Sequence, residues 1–255
     1  MLKTILILLV MFSPAMAQKP LLQKGRQVLL DFRKDRNLPA PKISPVTERI
    51  VLAKMFRRYL LEERQCRQQF DAGNNSDYLA AARKAGEIVP AITTMATGSF
   101  TAAGQQETLY VVSVSECNAS HADAFGTKRV AIFSGQRLVA DVDANFKSNI
   151  AIKTDLNSDG IDELLMSSVD QHQGTIEEMA TLVTFQNGRL NVVQDFSIVV
   201  EDSCASLMPS SASKASVLYM TVNAPGTMPK LSVETYQAGC NRNKTWRLIS
   251  RGPVR

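Results

Sequence analysis

The sequence predicts a mainly β fold, a repeated β-meander arranged as propeller-like blades or a sandwich, with a small helical segment ahead of it. Three observations carry the prediction. From Gly98 onward, short runs rich in Val, Ile, Thr and aromatic residues alternate with Gly, Asn and Ser, the pattern of strands and hairpins. Helix-period spacing of apolar residues is confined to residues 46–97. Two strings also recur. Phe133–Leu138 (FSGQRL) matches Phe185–Leu190 (FQNGRL) at an offset of 52, and Ser99–Glu107 (SFTAAGQQE) matches Asp155–Glu163 (DLNSDGIDE) at an offset of 56. A loop, strand and hairpin unit of roughly fifty residues has the scale of a propeller blade, and about two and a half such units fit, few for a closed ring.

The chain has 255 residues, 45% of them hydrophobic and 21% charged, enough apolar material for a soluble domain with a core. Residues 1–17 read as a signal peptide. Lys3 supplies the positive start, Thr4 to Phe12 the apolar run, and Ala15-Met16-Ala17 the cleavage site before Gln18. The apolar run is too short to span a bilayer, so a secreted or periplasmic chain with no transmembrane segment after signal removal is expected. In such a compartment the four cysteines, Cys66, Cys117, Cys204 and Cys240, read as disulfides. None forms C-x-x-C, and His121 and His172 are not at zinc-site spacings from them. Three pairings are possible; nearness along the chain favours Cys66–Cys117 and Cys204–Cys240.

Charge is unevenly spread. Residues 18–70 hold thirteen Lys/Arg against five Asp/Glu, while residues 71–255 hold fifteen against nineteen. This basic front is either a solvated surface against an acidic body or a contact element for an anionic envelope surface or polymer. Without interleaved aromatics, nucleic acid is not an expected partner.

Along the chain, 18–45 reads as a basic, Pro-containing tether with room for one short helix, and 46–97 as a helical segment. Ser44 caps a first helix with Pro45 at its first position and Glu48 in its first turn. Val51, Leu52, Met55, Phe56, Tyr59 and Leu60 give that helix one apolar face as far as about Cys66. Ser76 caps a second helix that stops before Pro90. The β domain, 98–255, then shows strand patterns at 108–114, 128–133, 138–142, 149–153, 163–168, 179–185, 189–194, 215–222, 230–236 and 245–250. Asn187-Gly188 marks a type I′ hairpin between two of them. Trp246 is expected to fill the core between the last strands.

One loop has side-chain chemistry spaced closely enough to name a ligand. In DLNSDGIDELL, Asp155, Asn157 and Asp159 alternate, so their side chains turn toward one centre, and Gly160 permits a sharp bend. The carbonyl of Ile161 and the carboxylate of Glu163 complete a shell of hard oxygens, the donor type that calcium takes six to eight at a time. Asp162 is expected to point to solvent. Position 12 is Met166, where an EF-hand places a bidentate Glu, and strand residues follow the loop in place of a helix.

These residues resemble the calcium loop of FG-GAP/VCBS-type repeats, found in integrin α-chain propellers and many bacterial secreted proteins, where D-x-D-x-D-G-x-x-D leads into a blade strand. The resemblance covers this loop well and the surrounding hundred residues loosely. It implies ligand roles for Asp155, Asn157, Asp159, the Ile161 carbonyl and Glu163, and one structural Ca2+. The chain departs from the pattern with Asn at position 3 and Glu at position 9. In the earlier copy, Ser99, Thr101 and Ala103 replace the acids, so that copy should keep the turn and bind nothing.

No G-x-S-x-G, H-E-x-x-H, P-loop or G-x-G-x-x-G motif is present. His121 with Asp123 and His172 with Asp170 lie at comparable places in the two units, where exposed loop histidines are the plain reading and a shared transition metal the sharper one. The expectation is a calcium-binding, non-enzymatic β-repeat module contacting a protein or envelope surface. An envelope component working through its basic N-terminal region, or a hydrolase with a site assembled from distant residues, are the alternatives.

Overall fold

Runs of β-branched residues between turns become twelve strands, and the capped segment one helix, in a computed structural model that describes residues 25–34, 41–55, 91–114, 127–144, 147–206, 211–222, 224, 226–241 and 244–254. Among the described residues the fold is mainly β, with two antiparallel sheets and one short helix. The first sheet is a four-stranded meander: β2 (Ala91–Gly98), β3 (Glu107–Val114), β4 (Thr127–Ser134) and β5 (Arg137–Asp143). The second begins with an equivalent meander: β6 (Asn149–Thr154), β7 (Glu163–His172), β8 (Thr175–Gln186) and β9 (Arg189–Asp202). It continues into β10 (Ser213–Val222), β11 (Lys230–Ala238) and β12 (Arg247–Pro253). Strand β10 pairs with β9 only over Ser213–Ala215; from Val217 to Val222 its partner on that edge is β1 (Gly25–Asp31). The set β1-β10-β11-β12 therefore forms a third four-stranded unit whose first strand comes from the N-terminal region.

The three units stack head to tail, and the repeat offsets prove the direction. Phe100, Leu109 and Val130 lie in the core between the first and second units, whereas Leu156, Leu165 and Leu182, their counterparts 56 or 52 residues on, lie in the next core. Tyr110, Ala131 and Phe133 face outward from the first unit, and their counterparts Met166, Val183 and Phe185 face back toward it. Each of these six positions thus moves one gap along the stack. This is what a translated unit requires and a mirrored sandwich would forbid. Beyond the second gap, Leu218, Met220, Leu29, Leu30 and Val233 of the third unit complete the core around Leu165 and Leu182.

Helix α1 (Pro45–Met55) closes the outer face of the first unit with Val51 and Leu52, both buried against Tyr110, Val112 and Phe133. Its start follows the sequence: the Thr47 N–H donates to Ser44 Oγ at 3.0 Å and the Glu48 N–H to the Ser44 carbonyl at 3.0 Å. Because a helix covers that face, the described units form an open stack and not a ring. The Asn187-Gly188 turn has φ of 53° and 71°, the two positive values that a type I′ turn needs. Cys204 and Cys240 are bonded, with Cα atoms 5.3 Å apart.

Two readings need correction. Residues 25–31 are a strand and not part of a tether, and residues 91–98 are a strand within what reads as a helical segment. Both pair with partners that local pattern does not reveal; the partner of β1 lies almost the whole chain away, so its conformation is set by tertiary pairing and not by propensity. The helix extension beyond Met55, the second helix, Cys66 and Cys117 lie outside the described residues.

Candidate metal centre

The loop Asp155–Asp162 joins β6 to β7, and its counterpart Ser99–Gln106 joins β2 to β3, so the same two-strand frame holds both. In each, the glutamate that opens the following strand turns back and is buried. Glu163 Oε2 accepts the Leu156 N–H at 2.7 Å; Glu107 Oε2 accepts the Phe100 N–H at 2.7 Å. The glycine at the bend is also matched, with φ of 87° at Gly160 and 73° at Gly104, a region where a Cβ is strained. The expected turn is therefore present twice with one backbone plan.

The two loops differ in what fills them. Glu107 is well supplied with donors: the Thr101 N–H at 2.8 Å and the Thr101 hydroxyl add to Phe100. Glu163 has the Leu156 N–H and, nearby, Asp155 and Asp159. Burial, opposed by the Leu156 hydrogen bond and assisted by the charges of Asp159 and Asp155, pushes its pKa up to about 7. Asp155 accepts the N–H groups of Asp159 at 3.1 Å and Gly160 at 2.9 Å. Asn157 Oδ1 accepts the Asp159 N–H at 3.0 Å, Asp159 Oδ1 accepts the Ile161 N–H at 2.8 Å, and the Asn157 amide donates to Asp159 Oδ2 at 2.9 Å. The five predicted positions are thus gathered in one turn wound around its own carboxylates.

The donor chemistry fits a hard divalent cation: two aspartates, one amide oxygen and one buried glutamate that lacks a compensating charge. The shell itself is not assembled as the side chains stand. Among the described residues, no three His, Cys, Asp or Glu side chains are close enough together to hold a metal ion. Glu163 points its Oε2 at Leu156, so ligation by it requires its other oxygen or a rotation.

Asp162 contradicts the expectation of an outward side chain. It is buried, its N–H donates to the Ser99 carbonyl at 2.6 Å, its Oδ2 accepts the Ser99 N–H at 2.9 Å, and Lys153 Nζ lies 3.7 Å away. The sequence signal available was the absence of a side chain at Gly98, where a Cβ would sit 2.3 Å from Asp162 Oδ2. His172 is exposed at the end of β7, 3.9 Å from Asp170; His121 and Asp123 lie outside the described residues. Trp246, expected to fill the core between the last strands, is only partly buried and packs against the second gap's core.

A second buried carboxylate was not foreseen. Glu234 on the outer face of the third unit accepts from Arg26 and Arg251 at 2.7 Å each, from the Tyr236 hydroxyl at 2.7 Å and from the Tyr219 hydroxyl at 3.1 Å. These bonds, led by Tyr236, hold its pKa down at about 2 against its burial, and the same bond pushes Tyr236 up to about 12. The residues come from β1, β10, β11 and β12, so one carboxylate ties the whole unit together. Pattern reading passed over it because its cations lie far off in sequence.

No protein-family model, no curated protein and no solved structure matches this chain. Its reading therefore rests on the residues above.

Proposed function

We propose that the chain is an exported, calcium-binding β-repeat module of the FG-GAP/VCBS kind, non-enzymatic, in which one Ca2+ at Asp155, Asn157, Asp159, the Ile161 carbonyl and Glu163 has a structural role. One observation carries this. Two loops share a backbone plan, and the one lacking acids satisfies its buried glutamate with neutral donors, while the one with acids leaves its glutamate beside two further carboxylates. Of the three only Glu163 is buried, and a bound cation would favour the ionised form that burial and the two neighbouring carboxylates oppose. The Cys204–Cys240 bond agrees with an oxidising compartment, and no helix among the described residues is long and apolar enough to cross a membrane.

The module's role is contact with a protein or an envelope surface. Arg26, Lys34 and Arg251 stand exposed above the partly buried Asp31 and the buried Glu234, so the outer face of the third unit presents cations outward. This favours an anionic partner. Isothermal titration of the chain without its first 17 residues should give one calcium site. A heat trace identical to buffer dilution would refute the assignment.

A further inference from the structure

Resting on that reading of the 155–163 loop, we infer that the ion site is the fastener of the stack: occupation of the loop and docking of all three units at this end are one coupled event, transmitted by Asp162 and Asn157. The loop is the middle member of three turns that touch. On one side the Asp162 backbone and carboxylate pair with both backbone polar groups of Ser99, at 2.6 and 2.9 Å, in the turn of the first unit. Gly160 approaches Ala103 of the same turn so closely that a Cβ there would lie 2.8 Å from the Ala103 Cβ. On the other side the Asn157 carbonyl accepts the Gly226 N–H at 2.7 Å, from the connection between β10 and β11 in the third unit. Contacts to the first unit, at Gly160 and Asp162, thus alternate with the proposed ligands Asp159, Ile161 and Glu163, and the contact to the third unit is made by Asn157, itself a proposed ligand.

This geometry has a consequence. Asp162 lies between two donor positions, Ile161 and Glu163, and its side chain is held by the neighbouring unit; Asn157 offers its side chain to the ion and its carbonyl to the third unit. Whatever fixes the backbone of 155–163 fixes those contacts, and whatever loosens the contacts frees the backbone on which the ligands are mounted. Coupling of this kind is reciprocal. Gly98 is then a positioning residue for the ion although it contacts no ligand. Its missing side chain leaves the space that Asp162 Oδ2 fills.

The test combines calcium titration with hydrogen exchange of the whole mature chain. In the wild type, calcium should slow exchange of the Ser99 and Gly226 amides, both outside the ion loop. Gly98→Ala and Asp162→Ala should each weaken calcium affinity about tenfold, and Asp162→Asn, which keeps an acceptor for the Ser99 N–H, should restore most of it. Calcium heat without slower exchange at Ser99 and Gly226, or affinity unchanged in both weakened variants, would overturn the coupling while leaving the ion site intact. Absence of any calcium heat in the wild type would remove the ion reading and the fastener with it. Should Gly98→Ala fail to fold, the Asp162→Ala and Asp162→Asn pair decides.

Discussion

The turns at 99–107 and 155–163 have equivalent entry strands, equivalent exit strands and the same glutamate-to-backbone bond, yet they differ in electrostatic character. In the first, Glu107 is surrounded by donors supplied by its own turn. In the second, Glu163 shares the turn with Asp155 and Asp159. The shared bond shows that the glutamate's first task is architectural, the capping of a buried amide, since both copies do it. What differs is whether the turn is electrically complete. On the reading proposed above, the first turn is a plain corner and the second is completed by an ion.

The largest effects should come from cutting the shared bond. Glu107→Ala strips a buried amide and its neighbour of their acceptor and should cost about 2–4 kcal/mol in chemical denaturation, equally in calcium and in chelator. Glu163→Ala should cost a comparable amount in chelator and more in calcium. If both losses were calcium-independent, the two turns would be alike and the comparison would collapse.

Glu234 is a further buried carboxylate, one completed by arginines and tyrosines. Glu234→Gln should cost roughly 1–3 kcal/mol, the range for hydrogen bonds to charged groups. The pH dependence follows from its folded pKa of about 2, below the ordinary glutamate value of 4.5. A depressed carboxylate contributes stability that is present above the unfolded value and lost as pH falls through the folded one. The wild type should therefore lose stability between about pH 4.5 and 2, and Glu234→Gln should lose less over that window; equal acid sensitivity would show that the cluster is not ionised as described.

The smallest effect expected is a gain. Placing Asp, Asn and Asp at Ser99, Thr101 and Ala103 should raise calcium stoichiometry from one toward two, with the added site the weaker because Ala103 already abuts Gly160. A stoichiometry fixed at one would show that more than the acids separates the turns.

Much of this was legible in the chain before folding. The offsets of 52 and 56 identified the repeat, and the structure gives them physical sense, since Leu109 and Leu165 or Phe133 and Phe185 sit one gap apart. Ser44, Pro45 and Asn187-Gly188 were readable because capping and type I′ turns depend on residues adjacent in sequence. What was not legible depends on distance. Strand β1 is a strand because β10 accepts it, Glu234 is buried because Arg26 and Arg251 arrive from opposite ends, and Asp162 is inward because Ser99 waits in the neighbouring unit. A polar residue in a loop reads as exposed until its partner is known.

The central claim, that the second turn is completed by calcium, is tested most directly by thermal unfolding of the mature chain in chelator and in calcium, beside Asp155→Ala/Asp159→Ala. Calcium at a hundredfold excess over its dissociation constant adds about 2.7 kcal/mol to a folded state that alone binds it. For a domain of this size that is a rise of roughly 5–10 °C in Tm. The wild type should show that rise and the double variant none; a wild type that melts at the same temperature in both solutions would contradict the account.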